Sequence, residues 1–265
     1  MALRIRDLTV SYGRQRVLHG LSTGDLRRGE VTAVVGPNGA GKSSLFRCIA
    51  GALRPGAGTI TLDDNDLATL SRAARARATF HLGQDLAPRV ALSVFDVVLL
   101  SRKSLAGDFG VRARPADLAA VEAVLHELAI QGLADRPVSD LSGGQRQLVG
   151  IAQALVRDPQ VLLLDEPTSA LDVRRQLEVL DLVTALTRRR TIVTLAALHD
   201  LSLAARFADN LLVLDAGRIA AEGAPADVLC RSCTADAYRV VLGLHPSPLG
   251  HLMVDPSLPP SRPAS

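Results

Sequence analysis

A glycine-rich segment that ends in lysine and serine is the clearest candidate for chemistry in this sequence. Glycines let backbone N–H groups surround phosphate oxygens, helped by the positive end of a helix that follows. We expect Lys42 to reach the β and γ phosphates of a nucleotide and the Ser43 hydroxyl to coordinate Mg²⁺. The segment follows the template G-x-x-x-x-G-K-[ST] in full and comprises Gly36, Pro37, Asn38, Gly39, Ala40, Gly41, Lys42, Ser43 and Ser44. It predicts nucleotide binding.

Two acids at the end of an apolar run form a second candidate site. The run at 161–164 is followed by Asp165 and Glu166, at the carboxyl edge of a predicted parallel sheet, where ligands bind. We expect Asp165 to hold Mg²⁺ and Glu166 to polarise an attacking water. Alternatively, the two acids only cap the next helix. The phosphate-binding loop upstream favours the functional interpretation.

A short polar segment before a predicted helix is the third candidate. It follows Leu141 and comprises Ser142, Gly143, Gly144 and Gln145. Its hydroxyl and backbone N–H groups, at the positive end of the helix, could bind an anion. By itself, the segment is equally consistent with an ordinary helix N-cap.

These residues are positioned by a predicted alternation of strands and helices. Alternating apolar residues predict a hairpin over 3–10 and 16–21, and apolar residues at helical spacing over 93–133 indicate an embedded helical subdomain. The other predicted elements are strands 31–35, 59–62 (an edge strand), 161–164 and 191–195, helices 42–50, 144–156, 174–186 and 201–207, and a hairpin over 211–221. The pattern predicts an α/β fold with a mainly parallel central sheet, an N-terminal antiparallel β subdomain and an inserted helical subdomain.

Composition excludes several classes of protein. The apolar runs are far shorter than the ~18 residues that cross a bilayer, and early charges argue against a secretory signal. We therefore expect a cytoplasmic protein. The net charge of +3 is scattered, so we expect no nucleic-acid partner, and the run at 188–190 is expected to be a solvated helix end. Three cysteines fit a reduced compartment, and Cys230 and Cys233 lack the further ligands of a metal site.

The order of the three motifs resembles that of ABC (ATP-binding cassette) ATPases, in which the segment at 141–145 is the signature motif. The resemblance implies a P-loop NTPase fold with ATP and Mg²⁺ as cofactors. It also implies a head-to-tail dimer with a second copy of the chain, because the signature motif completes the ATP site of the opposite subunit. Ser142 and the three residues after it would then contact the partner's nucleotide.

The same resemblance implies roles for further positions. Tyr12 matches the aromatic residue that stacks on adenine, and His199 matches the histidine that contacts the γ phosphate. Gln84 matches the glutamine that touches Mg²⁺ and the attacking water, although the residues before it differ from the usual Leu-Pro-Gln. The segment 169–172 matches a loop that crosses to the partner subunit. Catalysis is thus assigned to Glu166, His199 and Gln84.

Segments over 96–100, 134–140, 176–180 and 199–209 are similar to the importer cassettes for iron-siderophores, haem and cobalamin. This similarity implies a subunit on the inner face of the membrane that docks on separate permeases, with the docking groove near 84–103. A solute-binding receptor would deliver the cargo. The alternatives are a soluble ABC ATPase, which would carry a long coiled coil or two cassettes, and an ABC system with another cargo.

The resemblance also implies a domain division. We expect an ABC ATPase domain over 1–228, with the helical subdomain inserted at about 86–158. The C-terminal extension covers 229–265, and its tail from about 255 is expected to be disordered because it is rich in proline and serine.

Overall fold

The structure is a computed structural model that describes residues 2–83, 92–104, 113–169 and 171–259. Several positions named above lie outside the described residues: Gln84, the rest of the expected docking groove up to residue 91, Ala170 of the crossing loop, and the tail from residue 260.

Strands and helices alternate along the described chain. The strands, in chain order, are β1 (Ala2–Tyr12), β2 (Gln15–Leu21), β3 (Leu26–Arg27), β4 (Val31–Val35), β5 (Ala57–Leu62), β6 (Asn65–Asp66), β7 (Thr79–Leu82), β8 (Val161–Asp165), β9 (Val193–Ala197), β10 (Asn210–Asp215), β11 (Arg218–Gly223), β12 (Val241–Pro246) and β13 (Leu252–Ser257). The helices are α1 (Lys42–Ile49), α2 (Arg72–Ala78), α3 (Val94–Ser104), α4 (Pro115–Glu127), α5 (Gly143–Leu155), α6 (Val173–Arg190), α7 (Leu201–Phe207), α8 (Pro225–Leu229) and α9 (Ser232–Tyr238). No helix in these ranges combines the length and apolar character needed to cross a membrane.

An antiparallel sheet opens the chain, as predicted. Its strand order is β2-β1-β5-β6, with β3 paired to β1. The prediction that 59–62 forms an edge strand is wrong, because β5 lies between β1 and the two-residue strand β6. Leu3 and Ile5 of β1 pair with Leu62 and Ile60 of β5, and all four side chains are buried. One face of this sheet therefore belongs to the core.

The central sheet has the order β11-β10-β4-β9-β8-β7. All neighbours are parallel except β11, which pairs antiparallel with β10. Every residue of β4, β8 and β9 is buried, as expected for a sheet covered on both faces. The mainly parallel α/β fold is thus confirmed. Two details differ from the prediction: β9 begins two residues later than expected, at Val193, and β7 was not predicted.

Two hydrophobic clusters cover the two faces of the central sheet. Leu163 of β8 belongs to the cluster that contains Phe46 of α1 and the N-terminal sheet. Its neighbours Leu162 and Leu164 belong to the other cluster, with the helices α3 to α6. Side chains alternate across a strand, so one strand serves both clusters. Helix α1, which follows the phosphate-binding loop, is consequently packed between two sheets.

Helices α3, α4 and α5 lie in the chain between β7 and β8 and share a core with β8 and α6. Glu127 at the end of α4 pairs with both Arg189 and Arg190 in the last turn of α6. The Arg190 side chain is only 22% exposed and also donates to the Leu155 carbonyl oxygen at 3.0 Å. The arginine run is a helix C-terminus with Arg188 and Arg189 exposed, as expected, but Arg190 is more enclosed and connects α6 to the helical region.

The C-terminal part is more ordered than expected. Helices α8 and α9 are followed by a hairpin of β12 and β13, in which Asp255 pairs with Gly243, so the described tail is a strand as far as Ser257. The hairpin packs on α7, where the Ser202 hydroxyl accepts a hydrogen bond from the Val254 backbone N–H at 3.0 Å. The domain boundary at 228 stays a prediction.

Candidate functional site

The loop between β4 and α1 can be built only with glycine at its first position. Gly36 has φ of +147°, a backbone conformation that residues with side chains rarely adopt. A Cβ atom there would lie 2.1 Å from the Leu214 carbonyl oxygen of β10. The chain therefore turns sharply at the end of β4.

The loop is supported by the turn between β10 and β11, which the sequence analysis did not assign to the site. The backbone N–H of Gly217 in this turn donates to the Ala40 carbonyl oxygen at 3.0 Å. Gly217 has φ of +75°, and a Cβ atom on it would lie 2.0 Å from the Val17 carbonyl oxygen. The Ala216-Gly217 pair at the tip of a predicted hairpin was the only signal in the sequence.

A pocket of about 310 Å³ opens above the loop and is lined by Tyr12, Val17, residues 38–44 and Glu166. Tyr12 is 43% exposed, and its hydroxyl lies 3.4 Å from Ser44 Oγ. The pocket therefore combines an aromatic side chain, the phosphate-binding loop and a carboxylate. This combination suits a nucleotide.

Lys42 is buried beneath this pocket. Its ammonium group donates to the carbonyl oxygens of Gly36 at 2.6 Å and Pro37 at 3.2 Å. Burial lowers the pKa of Lys42, and the nearby carboxylates of Glu166 and Asp165 offset part of this effect. In this arrangement the ammonium braces the loop, and an incoming phosphate group could replace the two carbonyl acceptors.

Asp165, the last residue of β8, is only 7% exposed. Burial acts to raise its pKa, but His81, Ser43 and Lys42 more than offset this, so that the pKa lies below its usual value. Its Oδ1 atom is buried and has no hydrogen-bond donor among the described residues. A buried carboxylate oxygen left without a donor is costly, which fits a site for a hard cation shared with Ser43.

These residues cannot enclose a metal ion by themselves. Within the described ranges, no group of three or more histidine, cysteine or acidic side chains is arranged to hold one. A cation at Asp165 and Ser43 would therefore take further ligands from nucleotide phosphates and water, as Mg²⁺ does at phosphate sites.

Glu166 and His199 form a close pair beside the loop. Oε1 of Glu166 lies 2.6 Å from Nε2 of His199, which follows β9. Glu166 has φ of +55°, a left-handed conformation that is unusual for a residue with a side chain. The Glu166 side chain is 19% exposed and that of His199 is 45% exposed. The pair thus lies at the ends of two neighbouring strands; Glu166 lines the pocket above the loop, whereas His199 is not among the lining residues described for it.

The signature-like segment forms a helix N-terminus, as the sequence suggested. Ser142 caps α5: its hydroxyl accepts from the Gln145 N–H at 3.3 Å, and Gln145 Oε1 accepts from the Ser142 N–H at 2.9 Å. Among the described residues that line the pocket above the phosphate-binding loop, none comes from 141–145. Within one chain, these two candidate sites are not brought together.

The segment expected to cross to a partner lies between Glu166 and α6. The Ser169 hydroxyl donates to the Glu166 carbonyl oxygen at 3.2 Å, and the Asp172 carboxylate caps α6 by accepting from the Arg175 N–H at 2.9 Å. The next residue, Val173, is 73% exposed. A large apolar side chain therefore projects into solvent beside the candidate site.

Comparisons with known proteins identify relatives over most of the chain. The hemin import ATP-binding protein HmuV of Rhodopseudomonas palustris is 39% identical over 91% of this chain and 89% of its own length. The achromobactin transport ATP-binding protein CbrD of Dickeya dadantii is 36% identical over 94% of this chain and 92% of its own length. The cobalamin import ATP-binding protein BtuD of Halobacterium salinarum is 38% identical over 93% of this chain, which spans 62% of that longer relative.

Solved structures agree with these relatives. The chain resembles cbiO1 of Clostridium perfringens, part of the ABC transporter complex cbiONQ, with a TM-score of 0.77 and 30% identity over 89% of this chain and 93% of that chain. It also resembles a structure ascribed to a metal-chelate type ABC transporter in an inward-facing conformation, with a TM-score of 0.82 and 27% identity over 96% and 97% of the two chains. The sequence profile described as ABC transporter matches residues 18–169. The chain belongs to the ABC transporter family, in which it is an ATP-binding and ATP-hydrolysing cassette.

Proposed function

We propose that this chain couples ATP hydrolysis to the import of a metal chelate, of the iron-siderophore, haem or cobalamin type, through a separate permease. One observation carries the proposal: relatives named for hemin, achromobactin and cobalamin each match more than 90% of this chain at 36–39% identity. The cassette would lie on the cytoplasmic face of the membrane, with its docking groove near 84–103. A receptor on the other side would supply the cargo.

ATP would bind with adenine against Tyr12 and its phosphates along the N–H groups of 38–44. The ammonium of Lys42 would move from the Gly36 and Pro37 carbonyl oxygens to the β and γ phosphates, exchanging neutral acceptors for charged ones. Asp165 and Ser43 would hold Mg²⁺, which when bound neutralises charge that develops on the phosphates. The unpaired Oδ1 of Asp165 supports this role.

Glu166 would accept a hydrogen bond from the attacking water and draw its proton during attack on the γ phosphate. His199 would hold this carboxylate through the 2.6 Å contact with Oε1 and present its ring towards the phosphate. Such positioning supplies most of the catalysis in phosphoryl transfer, because the protein forms no covalent bond to the substrate. Gln84 would add a contact to the same water.

A second copy of the chain would complete each site. The positive end of α5, with Ser142 and Gly144, would contact the γ phosphate of the partner's nucleotide. The exposed side chain of Val173 would become covered in the same head-to-tail dimer. This arrangement is supported by the absence of 141–145 from the lining described for the pocket above the loop. Hydrolysis would remove the phosphate that bridges the two copies and loosen the dimer.

The catalytic assignments predict different defects for two substitutions. Glu166→Gln should retain ATP binding but lose turnover by at least about 100-fold, because the water loses its proton acceptor. Lys42→Ala should weaken binding itself. Glu178→Gln, on the exposed face of α6, is the matched control and should behave as wild type. ATPase rates and equilibrium binding of ATP are the measurements. Normal turnover in Glu166→Gln would refute the assignment of the catalytic carboxylate.

The cargo is tested by growth. A strain that lacks this gene is grown with haem, cobalamin or an iron-siderophore as the limiting nutrient. It should fail to grow on one of these three nutrients. Wild-type protein should restore growth, whereas Glu166→Gln should not. Unimpaired growth on all three nutrients would refute the proposed cargo class while leaving the ATPase assignment intact.

A further inference from the structure

His81 is a polar side chain in a largely apolar environment, and the proposed reaction assigns it no role. It lies on β7, and the parallel pairing places it beside Leu163 of β8. Its ring meets that of Phe46 edge-on, with centroids 6.0 Å apart and an interplanar angle of 85°. The His81 side chain is 18% exposed. An aliphatic or aromatic residue would suit this packing better than an imidazole.

The ring nitrogen of His81 that faces the site has no hydrogen-bond partner in the part of the chain that the structure describes. Nε2 of His81 is buried without a hydrogen-bond acceptor among the described residues, and it faces Asp165 Oδ2 at 3.8 Å. This distance is too long for a hydrogen bond. Oδ1 of the same aspartate also lacks a hydrogen-bond partner within the described ranges. An unpaired buried polar atom costs about 1–3 kcal/mol, so each of these two atoms indicates a partner in the working protein.

The sheet register explains why these two side chains meet. Since side chains alternate along a strand, Asp165 projects from the same face as Leu163, two residues further along β8. His81 therefore approaches the carboxylate from the side, while Ser43 and Lys42 approach it from the loop.

We propose that His81 positions the Asp165 carboxylate: Nε2–H donates to Oδ2, directly after a small ring movement or through one shared water, and so keeps Oδ1 turned towards the cation. His81 is thus a positioning residue and touches neither nucleotide nor metal. The inference rests on the proposed role of Asp165 in holding Mg²⁺. Partners of this kind, which orient a metal ligand from outside, commonly alter metal affinity by 10–100-fold.

The test measures the Mg²⁺ requirement for nucleotide binding rather than turnover. A fluorescent, non-hydrolysable ATP analogue is bound to the full chain at increasing Mg²⁺ concentrations and, separately, in EDTA. His81→Leu should raise the Mg²⁺ concentration at half-saturation by about 10-fold, because the donor is lost. His81→Asn should do the same, because its amide reaches only the Nδ1 position. His81→Gln places an amide N–H near the Nε2 position and should restore the wild-type requirement.

The control is Phe80→Leu, which changes the same strand on its opposite face, where Phe80 contacts Arg157. It should leave the Mg²⁺ requirement unchanged, and all variants should bind the analogue equally in EDTA. The inference is overturned by an unchanged requirement in His81→Leu and His81→Asn, by failure of His81→Gln, or by an equal shift in Phe80→Leu. If the wild-type protein binds the analogue equally well with and without Mg²⁺, the magnesium site itself is refuted, and this inference with it.

Discussion

Two glycines of the phosphate-binding loop allow a quantitative test of its geometry. Both have positive φ, +147° at Gly36 and +81° at Gly39, but their surroundings differ. A Cβ atom on Gly39 would meet no atom within 4 Å, whereas one on Gly36 would lie 2.1 Å from the Leu214 carbonyl oxygen and 3.1 Å from its carbon. Alanine at the two positions therefore separates backbone strain from steric contact.

Gly39→Ala should cost only the left-handed backbone penalty, about 1–2 kcal/mol. Gly36→Ala adds a contact more than 1 Å too short with the backbone of β10, which can be relieved only by moving the loop or the central sheet. We expect Gly36→Ala to reduce the free energy of unfolding by about 3 kcal/mol more than Gly39→Ala does. For a chain of this size, the difference amounts to about 6–12 °C in Tm.

The assay is thermal unfolding followed by circular dichroism, without nucleotide, so that lost ligand binding does not contribute. Wild type, Gly36→Ala and Gly39→Ala are compared at one pH and protein concentration. Equal melting temperatures for the two variants, or a lower one for Gly39→Ala, would refute the reasoning that the Leu214 carbonyl restricts the loop.

Two further predictions concern single side chains. Tyr12→Ala should weaken ATP binding by roughly 5- to 150-fold, the equivalent of about 1–3 kcal/mol for stacking on a base. Tyr12→Phe should bind ATP nearly as wild type does, because the hydroxyl contact with Ser44 is long at 3.4 Å. Equal losses of affinity for the two variants in isothermal titration calorimetry would contradict stacking. Burial raises the pKa of the Cys48 thiol to about 11, so at pH 8 alkylation followed by mass spectrometry should label exposed Cys230 and spare Cys48 until the protein unfolds. Labelling of Cys48 before the protein unfolds would show that the core around helix α1 opens in the folded state.

Motifs and apolar runs were sufficient to predict much of the fold. Strand β4, helix α1 and strand β8 were predicted within a residue, because glycine-rich or acidic motifs adjoin fully buried runs. Helix α7 was predicted over its observed range, 201–207, and begins just after the Asp200 N-cap, which accepts from the Ser202 N–H at 2.7 Å. Local signals of this kind can be read without knowledge of the tertiary structure.

The errors have physical causes that a local pattern does not show. Thr191 and Ile192 are β-branched and were assigned to a strand, but Thr191 is the left-handed C-cap of α6, with φ of +54°. Strand β7 was missed because it is short and carries His81 among its apolar residues. Strand β13 contains Pro256, which suggested a disordered tail, although proline is acceptable in a strand with an open edge.

The site was likewise predictable only in part. Tyr12, residues 38–44 and Glu166 come from separate segments, yet they line one pocket. Tyr12 ends a strand of the N-terminal sheet, whereas the other residues follow strands β4 and β8 of the central sheet. Two further contacts depend on which strands are neighbours. Gly217 supports the phosphate-binding loop, and His81 approaches Asp165. Sheet order cannot be read from a single sequence, so neither contact was foreseen.

The backbone of Glu166 places stability and activity in opposition. Its φ of +55° costs about 1 kcal/mol that a glycine at this position would not incur. Replacement by glycine would thus relieve strain while deleting the carboxylate assigned to catalysis. A library of variants selected only for resistance to heat should drift towards glycine at residue 166 and lose hydrolysis, so the acid persists there only where natural selection demands turnover.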